Sequence, residues 1–149
     1  MKKIQTALIS VSDKKNLKPL LKSLKKNNVK IISSGGTFKE IKKLKFKCLE
    51  VAEFTNSPEI LEGRVKTLHP KIHAGILNKR KNKIHLKDLK KNNFENIDLV
   101  IVNFYPFAET LKKTKNHNKI IENIDVGGPT MVRSAAKNYH DVTIITSSD

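Results

Sequence analysis

Apolar runs of strand-forming residues, each separated from the next by a helical stretch, constrain this chain more than any other feature. Thr6-Ala7-Leu8-Ile9-Ser10-Val11, Val29-Lys30-Ile31-Ile32, Leu99-Val100-Ile101-Val102 and Val142 to Ile145 are apolar with little alternation, as strands buried on both faces are. Cys48-Leu49-Glu50-Val51 reads as a further short strand, third in chain order. Between the first two runs, Leu17, Leu20, Leu21 and Leu24 repeat at i, i+3, i+4 and i+7, one face of a helix. Ser12 or Asp13 is expected to cap that helix, which puts Pro19 in its second turn, and Asn27-Asn28 ends it. Short helices are expected over Phe38 to Leu44, Ile84 to Lys91, Asn118 to Ile124 and Gly127 to Asn138, with Pro106 at the first position of another. Residues 53 to 77 are turn-rich and carry no clear period. Strands alternating with helices predict a three-layer α/β/α domain around a mostly parallel sheet. At 149 residues the expectation is one domain spanning 1–149.

The formal net charge of +16 raises nucleic acid as a partner. The lysines, however, are spread in ones, twos and threes beside asparagines, as in Lys25-Lys26-Asn27-Asn28 and Lys90-Lys91-Asn92-Asn93. Only Lys79-Arg80-Lys81-Asn82-Lys83 is dense, and no aromatic stacking platform lies near it. No specific nucleic-acid role is expected, and the charge suits anionic metabolites better. The single cysteine, Cys48, excludes an intrachain disulfide and fits a reducing, cytoplasmic setting. Met1-Lys2-Lys3 before an apolar run mimics a signal peptide, but Gln5, Thr6 and Ser10 interrupt the run and no small-residue cleavage site follows. No stretch is long enough to span a membrane.

In parallel sheets ligands bind at the carboxyl ends of the strands, which directs attention to four loops. Ser33-Ser34-Gly35-Gly36-Thr37 joins a strand to a helix start, where glycines and unpaired N–H groups can cradle a phosphate. Ser12 and Lys14 can add a hydroxyl and a charge. Spacing alone leaves a capped turn without a ligand equally open, and neither the G-x-x-x-x-G-K-[ST] loop nor G-x-G-x-x-G is present. Gly63-Arg64-Val65-Lys66-Thr67-Leu68-His69-Pro70 gathers Arg, Lys, Thr and His, and reads as a polar site or a solvated basic loop. His69 and His73, four apart, lack the third ligand and the H-E-x-x-H pattern of a zinc site, so no metal is expected. His85, His117 and His140 read as surface or packing residues. Asn103-Phe104-Tyr105-Pro106-Phe107 follows the most apolar strand, with Phe104 and Phe107 expected in the core. Asp125-Val126-Gly127-Gly128-Pro129 opens a helix on which Arg133 and Lys137 share a face.

Taken in order, Ser10-Val11-Ser12-Asp13-Lys14, Ser34-Gly35-Gly36-Thr37, the Gly63–Pro70 string, Asn103-x-Tyr105-Pro106-Phe107 and Asp125-x-Gly127-Gly128-Pro129 with Arg133-x-Ala135-Ala136-Lys137-Asn138 resemble the IMP cyclohydrolase domain of the bifunctional purine biosynthesis proteins. The resemblance covers essentially the whole chain. It implies a methylglyoxal-synthase-like, Rossmann-like fold. It also implies dehydrative ring closure of 5-formamidoimidazole-4-carboxamide ribotide (formylated AICAR) to inosine monophosphate (IMP), with no cofactor. By the same resemblance Ser12, Lys14, Ser34, Gly36 and Thr37 hold the 5′-phosphate and ribose. Arg64, Lys66, Thr67, Asn103, Asp125 and Gly127 surround the base. Lys66, Tyr105, Asp125 and Lys137 are the catalytic residues it implies, although Lys137 falls about eight residues, or ~12 Å, beyond the helix start.

The family's transformylase domain has no counterpart in these residues, and the chain stops shortly after Ile145, so the expectation is a cyclohydrolase domain shortened at its C-terminus. The resemblance implies a homodimer for the full-length protein. Three other readings remain: a methylglyoxal synthase acting on a triose phosphate, a non-catalytic nucleotide-binding regulatory module of the same fold, and a basic nucleic-acid-binding domain.

Overall fold

Five strands form one sheet in the order β3-β2-β1-β4-β5, every neighbouring pair parallel. They are β1 (Thr6–Val11), β2 (Lys30–Ser33), β3 (Leu49–Glu50), β4 (Leu99–Asn103) and β5 (Thr143–Ile145). The computed structural model describes residues 3–147, so Met1 and Lys2 of the signal-like stretch and the last two residues of the expected 1–149 domain lie outside it. Helices α1 (Leu17–Lys26), α2 (Gly35–Lys43), α3 (Val51–Thr55), α4 (Pro70–Leu77), α5 (Lys83–Lys91), α6 (Phe107–Lys113), α7 (His117–Glu122) and α8 (Gly127–Lys137) connect the strands.

Successive side chains of β1 point to opposite faces, so each face has its own core. Leu8, with Ile32, Val100 and Val102, joins Val51 and Phe54 of α3, Ile72 and Ile76 of α4, and Met131 and Ala135 of α8. Ala7 and Ile9, with Ile31, Leu99 and Ile101, join Leu17, Leu21 and Leu24 of α1 and Ile41 of α2. This is the three-layer arrangement expected. Burial of each such Leu or Ile contributes about 1.5–3 kcal/mol.

The helix starts depart from expectation. α1 begins at Leu17 behind Asn16 in a left-handed conformation (φ 57°), not behind Ser12 or Asp13. Pro19 therefore sits in the first turn, where its missing N–H has no intrahelical partner to lose. α2 begins at Gly35, so the glycines expected to form a turn are its first residues. Pro106 precedes α6 instead of opening it, and α7 starts one residue earlier than expected and ends at Glu122. Val51, expected in the third strand, opens α3, and the unassigned 53–77 region contains α4, whose first residue is Pro70. Phe104 and Phe107 are not core residues: they are 47% and 38% exposed, because the chain leaves the sheet at Asn103 and α6 buries none of its side chains.

Arg80, in the dense basic block, turns inward. Its guanidinium donates to the carbonyls of Asn78 at 2.9 Å and Ile97 at 2.8 Å, and stands 3.5 Å from Asp98. Among the described residues no helix is long and apolar enough to cross a membrane.

Candidate functional site

The strand order reverses at β1, which lies between β2 and β4, so the β1 and β4 ends form a switch-point crevice. Asn103 closes it. Its Oδ1 accepts from the Ser12 N–H at 2.5 Å and the Asp13 N–H at 3.1 Å, and its Nδ2 donates to the Asp13 carbonyl at 2.8 Å. The buried Thr37 hydroxyl does the same one strand over, accepting from the Val11 N–H at 3.0 Å and donating to the Val11 carbonyl at 2.9 Å. Both residues thus shape the β1–α1 loop through their side chains.

That shaping brings Lys14 to α2. Its ammonium donates to the Ser12 carbonyl at 3.2 Å and lies 3.8 Å from where a Cβ on Gly36 would stand. Lys66 arrives from the opposite loop: its ammonium is 2.9 Å from the corresponding point on Gly35. Gly35 has φ +54° and Gly63 φ +85°, and a side chain on Gly63 would meet Lys66 Cε at 2.2 Å. Both positions take the left-handed backbone that favours glycine, and a side chain on either would displace the end of Lys66. Two ammonium groups therefore flank the first residues of α2, whose N–H groups and dipole favour an anion. Ser34 precedes that turn and is buried, with no side-chain cap bond. Lys66 is countered by Glu59 at 3.5 Å, a residue that sequence reasoning missed inside an aperiodic stretch.

A second cluster adjoins it. Thr67, buried to 6% exposure, has its hydroxyl 2.6 Å from where a Cβ on Gly127 would stand, so this close approach too needs glycine. Asp125 Oδ1 accepts from the Gly128 N–H at 2.8 Å and holds the start of α8. Arg64 pairs with Glu122 of α7, whose hydrogen bond and charge hold the guanidinium more firmly protonated. Tyr105 is exposed on the β4–α6 loop. Lys137 is kept apart: it ends α8, ten residues or about 15 Å from Gly127. Of the two histidines weighed for zinc, His69 precedes α4 and its Nδ1 accepts from the Lys71 N–H at 3.1 Å. His73 lies within α4, with Nδ1 3.0 Å from Ser134 Oγ. Among the described residues no group of three or more His, Cys, Asp or Glu could hold a metal.

Comparison with known proteins agrees with this fold. The family model described as the MGS-like domain matches residues 16–130. The bifunctional purine biosynthesis protein PurH of Prochlorococcus marinus (strain MIT 9301) is 58% identical over 140 residues, which is 93% of this chain and 27% of that protein. PurH of Acetivibrio thermocellus is 52% identical over 143 residues, 95% of this chain and 28% of its own length. The chain thus spans little more than a quarter of these relatives. The crystal structure of ForH superposes with a TM-score of 0.83 at 30% identity, covering 97% of this chain and 74% of that one. With a parallel five-stranded sheet, glycine-rich helix starts at its carboxyl edge and relatives that match over nearly all its length, this chain belongs to the MGS-like domain family.

Proposed function

We propose that this domain is an IMP cyclohydrolase, closing the pyrimidine ring of 5-formamidoimidazole-4-carboxamide ribotide to give IMP. The observation that carries the reading is the convergence of Lys14 and Lys66 on the start of α2, beside the Thr67–Gly127 contact. The start of α2 with Lys14 suits a 5′-phosphate and the Thr67–Gly127 side a planar, hydrogen-bonding base, with Lys66, next to Thr67 in the chain, linking the two. The similarity to PurH, a purine biosynthesis protein, supports a purine nucleotide as the ligand.

In the reaction the carboxamide nitrogen attacks the formyl carbon, a C–N bond forms, and the resulting carbinol loses water. Nucleophile and electrophile share one molecule, so holding them in line supplies much of the acceleration and no cofactor is needed. The amide is a poor nucleophile and needs proton removal and stabilisation of oxygen charge. Lys66, held by Glu59, would stabilise the carboxamide oxygen. Asp125 keeps one carboxylate oxygen, Oδ2, outside its bond to Gly128 and would orient or deprotonate the amide. Tyr105 would deliver a proton to the departing hydroxyl. Lys137 lies too far along α8 to join them within one chain, so ring closure by a single chain rests on the other three. Ser12, Ser34 and Gly36 complete the phosphate end and Arg64 the base end, while Asn103 and Thr37 act by fixing the loop that carries Lys14.

The test is to add the formylated ribotide and follow IMP by ultraviolet absorbance, with dihydroxyacetone phosphate as a parallel substrate. IMP formation is expected. Turnover of the triose phosphate alone would overturn the reading in favour of a methylglyoxal synthase.

A further inference from the structure

The Thr67–Gly127 cluster of the candidate site lies where the loop into α4 meets the start of α8. α4 continues directly from the loop bearing Lys66 and Thr67, and α8 begins at Gly127, which Thr67 touches. The seam between these helices is apolar, with Ile72, Ile76, Met131 and Ala135 in one core cluster. His73 and Ser134 interrupt it. The ring Nδ1 is 3.0 Å from Ser134 Oγ. Nε2 is enclosed without a well-aligned partner. A half-satisfied polar ring in an apolar seam costs stability that a leucine would not. Apolar side chains tolerate sliding, whereas a directional bond between helices specifies one register.

We propose that His73 is a positioning residue: through its bond to Ser134 it fixes α4 against α8 and so keeps Thr67, in the loop that leads into α4, seated on Gly127. Its ligand readout rests on the nucleotide-site reading above, while its structural readout does not. His73 touches no substrate, and its effect passes through the loop.

The experiment compares the wild-type chain with His73→Leu, which keeps volume but removes both ring nitrogens, His73→Asn, which keeps a polar group near Nδ1, and Ser134→Ala. NMR follows the nuclear Overhauser contact between Thr67 and Gly127, and calorimetry measures IMP and ribose 5-phosphate. His73→Leu is expected to lose the Thr67–Gly127 contact and His73→Asn to retain it. IMP affinity should fall about fivefold in His73→Leu and Ser134→Ala, while ribose 5-phosphate changes less than about twofold, because one lost hydrogen bond disturbs only the base end. An intact contact with unchanged IMP affinity in His73→Leu would overturn the proposal, as would equal weakening of both ligands. If His73→Leu fails to fold, Ser134→Ala, which deletes one hydroxyl, decides by the same readouts. If the wild type binds neither ligand, the nucleotide reading fails and the Thr67–Gly127 contact alone decides the role of His73.

Discussion

Lys66 and His73 are both half-buried but carry different burdens, one an ion pair beside a helix start, the other a ring bonded across a helix seam. The Lys66–Glu59 pair is 3.5 Å apart with about a third of each side chain exposed, the kind of pair worth roughly 0–1 kcal/mol. Lys66→Ala should therefore leave the melting temperature nearly unchanged. It should weaken phosphate or IMP binding about tenfold, since it removes a charge-assisted contact. Calorimetry and thermal melts on the same variant separate the two, and a loss of binding that tracked a loss of folding would make Lys66 structural. For His73 the prediction concerns pH. Burial pushes its pKa below the ordinary 6.5, outweighing the opposite pull of the Thr67 backbone. The unfolded chain then takes up the proton more readily than the folded one. The neutral ring's contribution is fully present above pH 6.5 and is lost as pH falls through 6.5 towards the lowered folded value. Melting temperatures from about pH 7.5 to about pH 5 should fall for the wild type and fall less for His73→Leu, since this side chain alone is altered. Parallel slopes would contradict this.

At the scale of elements the glycine-rich helix starts matter most. Gly128→Ala would put a Cβ 2.5 Å from Asp125 Oδ2 and 3.0 Å from its Cγ. The short aspartate side chain cannot yield without giving up its bond to the Gly128 N–H. The expected cost is about 1 kcal/mol, the value of a lost helix cap, read as a lower melting temperature. An unchanged melting temperature would show that the cap contributes nothing. The same elements explain what was legible in the sequence. β1 and β4 could be read because central strands of a parallel sheet must be apolar on both faces. α1 could be read because its leucines follow the helical period, although its start could not, since left-handed Asn16 replaces a side-chain cap. α2 begins earlier than its sequence suggests, because glycines suit a turn as well as the first turn of a helix. α4 was hidden by its surroundings: Leu61 and Glu62 both adopt positive φ, which their residue types do not signal. Of the site, the loop positions followed from the strand ends, whereas Glu59, Glu122 and the His73–Ser134 pair depend on contacts made only after folding.

The whole molecule is unevenly covered. One face of the sheet lies under α3, α4 and α8 and the other under α1 and α2, yet α6 and α7 bury no residue of their own. Seven exposed large apolar side chains lie there: Phe104, Tyr105, Phe107 and Leu111 on and before α6, and Ile121, Ile124 and Val126 on and after α7. A monomer seldom leaves so many apolar side chains in water along one stretch, and such patches mark interaction surfaces. A homodimer is the expectation carried by the family resemblance, and this surface is where a second copy would gain most. The high positive charge opposes self-association of two identical chains, so added salt should favour the dimer by screening that repulsion. Sedimentation equilibrium at micromolar protein should give a mass above that of one chain and rising with salt. Leu111→Asp combined with Ile121→Asp should give single chains with an unchanged melting temperature for the monomer, because both positions are solvent-exposed and their change leaves the two cores intact. A wild type that sediments as one chain at every salt concentration would mean that α6 and α7 serve some other contact.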